Sequence, residues 1–263
     1  MDPNQILGIA ADTFNSLDPK SKEALTYPSA RTLGNAADGL ISLVFYPLLK
    51  AQIFTHEKLK QYRKEVSEKI SHIPENNRDT SKFGLVLKAI EESRYQLNED
   101  DIRKLYVNLI ASTVDNRKNN VVNPRLATVV SQFGGTEADL LNEIHLSKNR
   151  SLQTAEIWAF SDNHAYNYKA SQRFTFAHGK PTLKYHSSID VLKSLGVINA
   201  TNKRKLEGNY YKQIYNLMNN NIKSSKYYLN INNSLNENEH LEFMPSYITL
   251  TDFGVNLCRC IFE

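Results

Sequence analysis

The sequence predicts a mainly α-helical protein, a multi-helix array followed by a small α+β domain of winged-helix-like layout. Three observations carry that expectation. Between Asn98 and His145 three helix-start signals follow one another, each ahead of apolar residues at helical spacing. Upstream, three further stretches repeat the same spacing. After His145 the period changes: aromatic residues alternate, and a short helix with two strand-like runs closes the chain.

Residues 1–27 read as a tail, with a small apolar patch (Ile6, Leu7, Ile9, Phe14) ahead of a polar link. Pro28 suits a helix start, and Leu33, Ala36, Ala37, Leu40, Ile41, Val44 and Phe45 follow helical spacing until Pro47. The next helix is expected over Ala51 to Ile73, with a stripe of Leu59, Tyr62, Val66, Ile70 and Ile73 and a charged remainder; Pro74 stops it. Thr80 or Ser81 would cap a helix burying Phe83, Val86, Leu87 and Ile90.

Asn98 is the expected cap of the following helix. Glu99, Asp100 and Asp101 meet the positive helix end, and Ile102, Leu105, Tyr106, Leu109, Ile110 and Thr113 form one face. Asn123-Pro124 opens the next helix, and Gly134-Gly135 is expected to close it in the left-handed conformation. Thr136 with Asp139 would open the third, which buries Leu140, Leu141 and Ile144. Residues 28–146 therefore form the helical domain.

Residues 147–186 are an aromatic-rich connecting region. Within it Phe174-x-Phe176 and Leu183-x-Tyr185 suit a small hairpin about His178–Pro181. Residues 187–263 form the winged-helix-like domain. Ile189, Leu192 and Leu195 line a helix closed by Gly196, and Val197-Ile198 begins a strand. Tyr247–Thr251 is a second strand. Thr251 caps a last helix burying Phe253, Leu257, Cys260 and Ile261, with Cys258 partly exposed beside them. The Asn-rich segments Asn219–Asn221 and Asn230–Asn238 are expected as loops.

Composition bounds the function. The 263 residues suffice for a real core, and 41% hydrophobic with 23% charged residues is ordinary for a globular protein. The net charge of +4 is too slight to argue nucleic-acid binding by itself. Two cysteines exclude a disulfide scaffold and fit a reducing compartment. No cationic leader precedes the first apolar residues, so no secretory signal is expected. The most apolar run, Gly39 to Leu49, is shorter than the roughly 20 residues a membrane span needs. A cytoplasmic protein without stable membrane insertion is expected. The same run, broken by Pro47, also has the layout of a membrane-active hairpin, although burial within a bundle is the commoner cause of such apolarity.

Several segments resemble the Abi-alpha (abortive infection alpha) family of bacterial proteins. They are NLIASTVD (Asn108–Asp115), NPRLATVVSQF (Asn123–Phe133) and TEADLLNEI (Thr136–Ile144), with YPSARTLGNAADGL (Tyr27–Leu40) and SEKISHIPE (Ser67–Glu75) upstream. LKSLGVI (Leu192–Ile198) and ITLTDFG (Ile248–Gly254) follow downstream in the same order. Where that family is expected to open its second helix with His-Pro, this chain has Asn123-Pro124. The resemblance implies a role in bacterial defence against phage and supplies no catalytic residues.

Three chemistries were weighed from the residues. Arg173 and His178 fit the Arg-x4-His spacing of HEPN ribonucleases, in which His acts as base and Arg steadies phosphate, but Phe174 and Phe176 alternate like a strand instead of lying on a helix. No metal site is expected: His164, His178 and His186 lack ligand spacing, and Cys258-x-Cys260 points two ways from a helix. Lys203, Arg204, Lys205 and Lys212, with Tyr210 and Tyr211 among them, fall where a wing would lie and are the candidate nucleic-acid contacts. Catalysis has no positive support, and no cofactor is expected. The sequence favours non-enzymatic sensing or binding of a phage or host component, protein or nucleic acid. A DNA-binding winged-helix regulator and a toxic effector acting on membrane or RNA are the alternatives.

Overall fold

A computed structural model of the chain describes residues 56–79, 81–202 and 204–263. The expected tail, the 28–49 helix with its hairpin reading, Thr80 and Lys203 lie outside the described residues. The chain divides into two compact units. The first holds the described residues up to Gln132 together with Arg259–Glu263; the second is Phe133–Cys258.

Among its described residues the first unit holds α1 (His56–Ser71), α2 (Phe83–Ser93), α3 (Asp100–Thr113) and α4 (Pro124–Val130). α3 packs against the other three. The α1 stripe Leu59, Tyr62, Val66, Ile70 and Ile73 is buried as its spacing requires. Val86, Ile90, Tyr106, Leu109, Ile110, Leu126 and Val130 are buried in the same unit, where each large side chain contributes about 1.5–3 kcal/mol of burial. The buried hydroxyl of Tyr62 donates to Ser93 Oγ at 3.3 Å.

The helix ends show which start signals act. Asn123 Oδ1 accepts from Arg125 N–H at 3.0 Å with Pro124 in the first turn, as expected. Glu99, not Asn98, is the cap residue of α3, leaving Asp100 and Asp101 in its first turn. α2 starts after Lys82 with no side-chain cap. Gly134 and Gly135 do not close α4 in a left-handed turn. Gly134 has φ −101° and is the cap residue of the next helix, α5 (Gly135–Leu146), where Glu137 Oε2 accepts its N–H at 2.9 Å. Glu137 thus takes the role expected of the Thr136–Asp139 pair, because the helix begins two residues earlier.

Three side chains of the NLIASTVD segment and its sequel hold the chain's last helical carbonyls within the first unit. Asn108 Nδ2 donates to Ile261 O at 2.8 Å, Ser112 Oγ to Cys260 O at 2.9 Å and Lys118 Nζ to Arg259 O at 2.8 Å. Terminal helix carbonyls have no partner within their own helix, and a cation suits that negative end.

The second unit is an antiparallel sheet with helices. Its strands are β1 (Ser151–Ser161), β2 (Asn167–Lys169), β3 (Phe174–Ala177), β4 (Lys180–Thr182), β5 (Ile198–Ala200) and β6 (Glu239–Leu250). They lie in the order β4-β3-β1-β6-β5, with β2 on β1. β1 and β6 pair along their length, from Ser151 opposite Thr249 to Ser161 opposite Glu239. Residues 151–182, within the segment expected to connect two domains, therefore supply four of the described strands.

Between the strands lie α6 (His186–Ser194), α7 (Asn209–Lys223) and α8 (Lys226–Asn233); α9 (Asp252–Ile261) follows β6. Of the polar segment expected around a wing, Arg204 and Lys205 lie in coil, whereas Asn209–Lys223 and Lys226–Asn233 are helical. Asn219–Asn221 belong to α7 and Asn230–Asn233 to α8, so the Asn-rich stretches are loop only at 234–238. Tyr211, Tyr215, Met218 and Ile222 sit at i, i+4, i+7 and i+11. They bury against Ala155, Ile157 and Phe174, and this burial outweighs the low helix propensity of the intervening asparagines. Cys258 is buried as fully as Cys260, because α9 is covered on more than the one face its apolar stripe marks. Phe253 is only half-buried. Among the described residues no helix is long and apolar enough to cross a membrane.

Candidate functional site

The described residues singled out for chemistry lie in the second unit, except Cys260, which belongs to the first, and the structure separates one pair while uniting another. Arg173 precedes β3 and His178 follows it, so about 15 Å of extended strand lies between them. Arg173 is held by Glu156, with Nε 3.1 Å from Oε1, and by Asn202 Oδ1 at 2.7 Å. Lys169 Nζ meets the same carboxylate at 2.8 Å. Burial would raise the Glu156 pKa, but these two cations and the Trp158 N–H outweigh it and hold it below its usual value.

His178 occupies a two-residue β-hairpin turn with Gly179, closing β3 onto β4. Both have positive φ, 49° and 77°, the signature of a type I′ turn whose twist matches the strands. β4 ends at Thr182, so Leu183 and Tyr185 are not part of the hairpin as expected. Tyr185 is instead buried, and its hydroxyl donates to Asp139 Oδ2 at 2.7 Å and lies 3.0 Å from His178 Nε2. Lys184 Nζ closes on the same Asp139 carboxylate. Glu143 accepts the His178 backbone N–H at 3.0 Å and lies 3.4 Å from its Nδ1. The hairpin tip is thus tied to α5 by two carboxylates one helical turn apart.

Burial and the Asp139 carboxylate push the Tyr185 hydroxyl up to about 12. Burial alone would raise Asp139, but hydrogen bonds from Lys184 and Tyr185 dominate and lower it. A depressed carboxylate stabilises the fold above its unfolded pKa, near ~3.9, and the contribution disappears as pH falls through the lower folded value. Asp139→Asn should therefore destabilise the protein at neutral pH by an amount that shrinks to nothing in acid. Urea unfolding from pH 7 down to about pH 2, through and below the ordinary carboxylate pKa, measures it. A pH-independent difference would show that the charge is not what matters.

Among the described residues, clefts on this unit include two of interest. The smaller, about 180 Å³, is bordered by His178 and Glu143, with Lys148 and Tyr210 opposite. Lys148 Nζ sits 4.8 Å above the Tyr210 ring, a cation–π contact. The larger, about 430 Å³, lies between the strap that leads into α7, the first half of that helix, and β6. Lys205 and Lys212 both line it, together with Glu207, Tyr215, Asn219 and Phe243. Arg204 is exposed in coil on the same strap. Tyr215 fixes the strap by accepting the Leu206 N–H at 3.2 Å and donating to Ser246 O at 2.8 Å. Asn219 Oδ1 is buried with no hydrogen-bond partner among the described residues.

Asp139, Glu143, Lys184 and Tyr185 were not singled out for chemistry from the sequence, and neither were Asn219 and Phe243. The signal for Asn219 was present: Lys212, Asn216 and Asn219 recur at i, i+4 and i+7, one stripe beside the buried tyrosines.

A family model described as abortive infection alpha matches residues 55–261. The chain belongs to the abortive infection alpha family. The match runs through both units, and the family's name links it to abortive infection, a defence against phage. A solved structure of an uncharacterized protein from the hydrocarbon-degrading marine bacterium Alcanivorax borkumensis SK2 is similar at 12% identity and a TM-score of 0.33, over 56% of this chain and 96% of its own. No curated protein matches. The segments that carry the abortive infection alpha likeness do structural work here. Asn123, standing where a histidine was expected, is a helix cap. Leu192–Ile198 and Ile248–Gly254 are joined by Thr251, whose N–H donates to Val197 O at 3.0 Å and whose Oγ1 donates to Gly196 O at 2.7 Å.

Proposed function

We propose that the chain acts in phage defence by abortive infection as a binding protein and not as an enzyme. In this reading the second unit engages a phage or host component in the cytoplasm, and the helical first unit is scaffold or effector. The family match supports the defence role. The observation that carries the binding role is the convergence of Lys205 and Lys212 on one cleft, where neither makes an ion pair among the described residues. Unpaired cations beside aromatic walls attract an anionic, flat partner, whereas Arg173, the other half of the nuclease spacing, is spent on Glu156.

Phage challenge of a culture producing the chain tests this. The wild type should protect at low phage dose and give early culture collapse at high dose. Lys205→Glu combined with Lys212→Glu should cut protection at least about tenfold in plaque count while leaving the thermal unfolding temperature unchanged, since both side chains are exposed. Full protection by the double variant would remove the cleft from the mechanism. The DNA-binding regulator draws support from the same lysines and from α6, β5 and β6 in helix–strand–strand order. It requires salt-sensitive duplex retention that this variant loses, and retention equal in both proteins would end it.

A further inference from the structure

We infer that the larger cleft is a nucleotide site: it takes a nucleoside phosphate, either free or as one unit of a single-stranded nucleic acid. The inference rests on the binding reading above and names the ligand class.

Each part of such a ligand has a counterpart on the cleft wall. Its volume, about 430 Å³, falls within the range of small-molecule pockets, roughly 300–1,000 Å³. Lys205 comes from the strap and Lys212 from the helix, so two cations on separate elements face one space, as a phosphate group requires. The first turn of α7 lies between them and carries no side-chain cap, which leaves its N–H groups to the same anion. Half-buried Phe243, on β6, offers a ring face for a base. Glu207 on the strap is an acceptor suited to ribose hydroxyls, which donate.

Asn219 decides between an anion and a nucleotide. Its Oδ1 is buried and unpartnered although the residue as a whole is only half-buried, an arrangement that costs free energy until the amide turns about its side-chain torsion to meet a donor in the cleft. Phosphate at neutral pH is an acceptor and does not meet that need. The exocyclic amino group or ring N–H of a base does. A ligand satisfying the lysines and Asn219 together must be anionic at one end and an N–H donor at the other.

The full-length chain, titrated calorimetrically with AMP, with ribose 5-phosphate and with a single-stranded oligonucleotide of about eight residues, tests this. AMP or the oligonucleotide should bind. If AMP binds, ribose 5-phosphate should bind at least about tenfold more weakly, because it lacks the base that stacks and donates. AMP binding assigns the site to free nucleotides; binding of the oligonucleotide alone assigns it to a strand. Asn219→Leu should weaken either ligand about tenfold while circular dichroism and thermal unfolding stay as in the wild type, and Lys205→Glu with Lys212→Glu should abolish binding. Absence of binding by both ligands, ribose 5-phosphate equal to AMP, or binding indifferent to Asn219→Leu would each overturn the assignment. Protection against phage by a wild type that binds no nucleotide would overturn it while leaving the abortive-infection reading in place.

Discussion

Gly254→Ala is expected to unfold the second unit, or to cost it at least about 4 kcal/mol, which places it among the most damaging single substitutions. An added Cβ would stand 2.1 Å from the carbonyl oxygen of Val197 and 3.1 Å from its carbon. Backbone is the obstacle, so no side-chain rotation relieves the clash. Val197 O cannot retreat cheaply either, because it accepts the Thr251 N–H at 3.0 Å and lies 3.1 Å from Thr251 Oγ1. The residues before it are fixed too. α6 ends in a Schellman motif, with Gly196 at φ 72°, its N–H donating to Lys193 O at 2.9 Å and the Val197 N–H donating to Leu192 O at 2.9 Å. Thr251 Oγ1 in turn caps α9 by accepting the Gly254 N–H at 2.9 Å. The methyl group must therefore push the first turn of α9 off the end of α6 and break the cap with it. Thr251→Ala, which loses only the cap and the bond to Gly196, should cost about 1–2 kcal/mol, and Thr251→Ser much less. Circular dichroism with urea unfolding ranks the three. Gly254→Ala no worse than Thr251→Ala would mean that the helix end yields freely.

That junction explains why the sequence was legible in some places and opaque in others. Thr251 as a cap, Asn123-Pro124 as a helix start and the α1 stripe are local signals, each complete within a few residues. The sheet was only partly visible. Phe174 and Phe176 marked β3, but β1 is buried along nearly its whole length, so Ser151 to Ile157 show no inside–outside alternation. α7 was hidden by composition: asparagine runs resemble loops unless the spacing of Tyr211, Tyr215, Met218 and Ile222 is counted. The clusters were least legible because their members are distant in sequence. Tyr185 and Asp139 are 46 positions apart, and neither belongs to a motif that announces the other. Lys205 and Lys212 were found for their charge, whereas Phe243 reaches their cleft only because β6 returns beside β1.

In the first unit the largest effect is expected from Glu65→Ala. Arg103 is buried on α3 with 5% of its side chain exposed, and Glu65 on α1 accepts from it twice, from Nε at 3.0 Å and from Nη2 at 3.2 Å. Asp100 Oδ1 at 2.6 Å and the Leu97 carbonyl at 3.3 Å take the remaining nitrogen, Nη1. Arg103 is therefore held above its ordinary pKa, by Glu65 foremost and against the opposing effect of burial. Removing Glu65 leaves a guanidinium out of water with half its acceptors gone. Breaking a buried pair costs about 3–5 kcal/mol; Asp100 and Leu97 remain, so about 2–4 kcal/mol is expected here. Replacing both partners reverses the logic. Glu65→Leu with Arg103→Met removes the charge to be desolvated and keeps apolar volume beside Ile102 and Tyr106, so the double variant should return to within about 1–2 kcal/mol of the wild type. Asp100, 70% exposed, is then solvated by water at little cost. Equilibrium unfolding of the wild type, Glu65→Leu, Arg103→Met and the double variant gives the coupling, and a Glu65→Ala midpoint equal to that of the wild type would show that Asp100 alone satisfies the buried arginine.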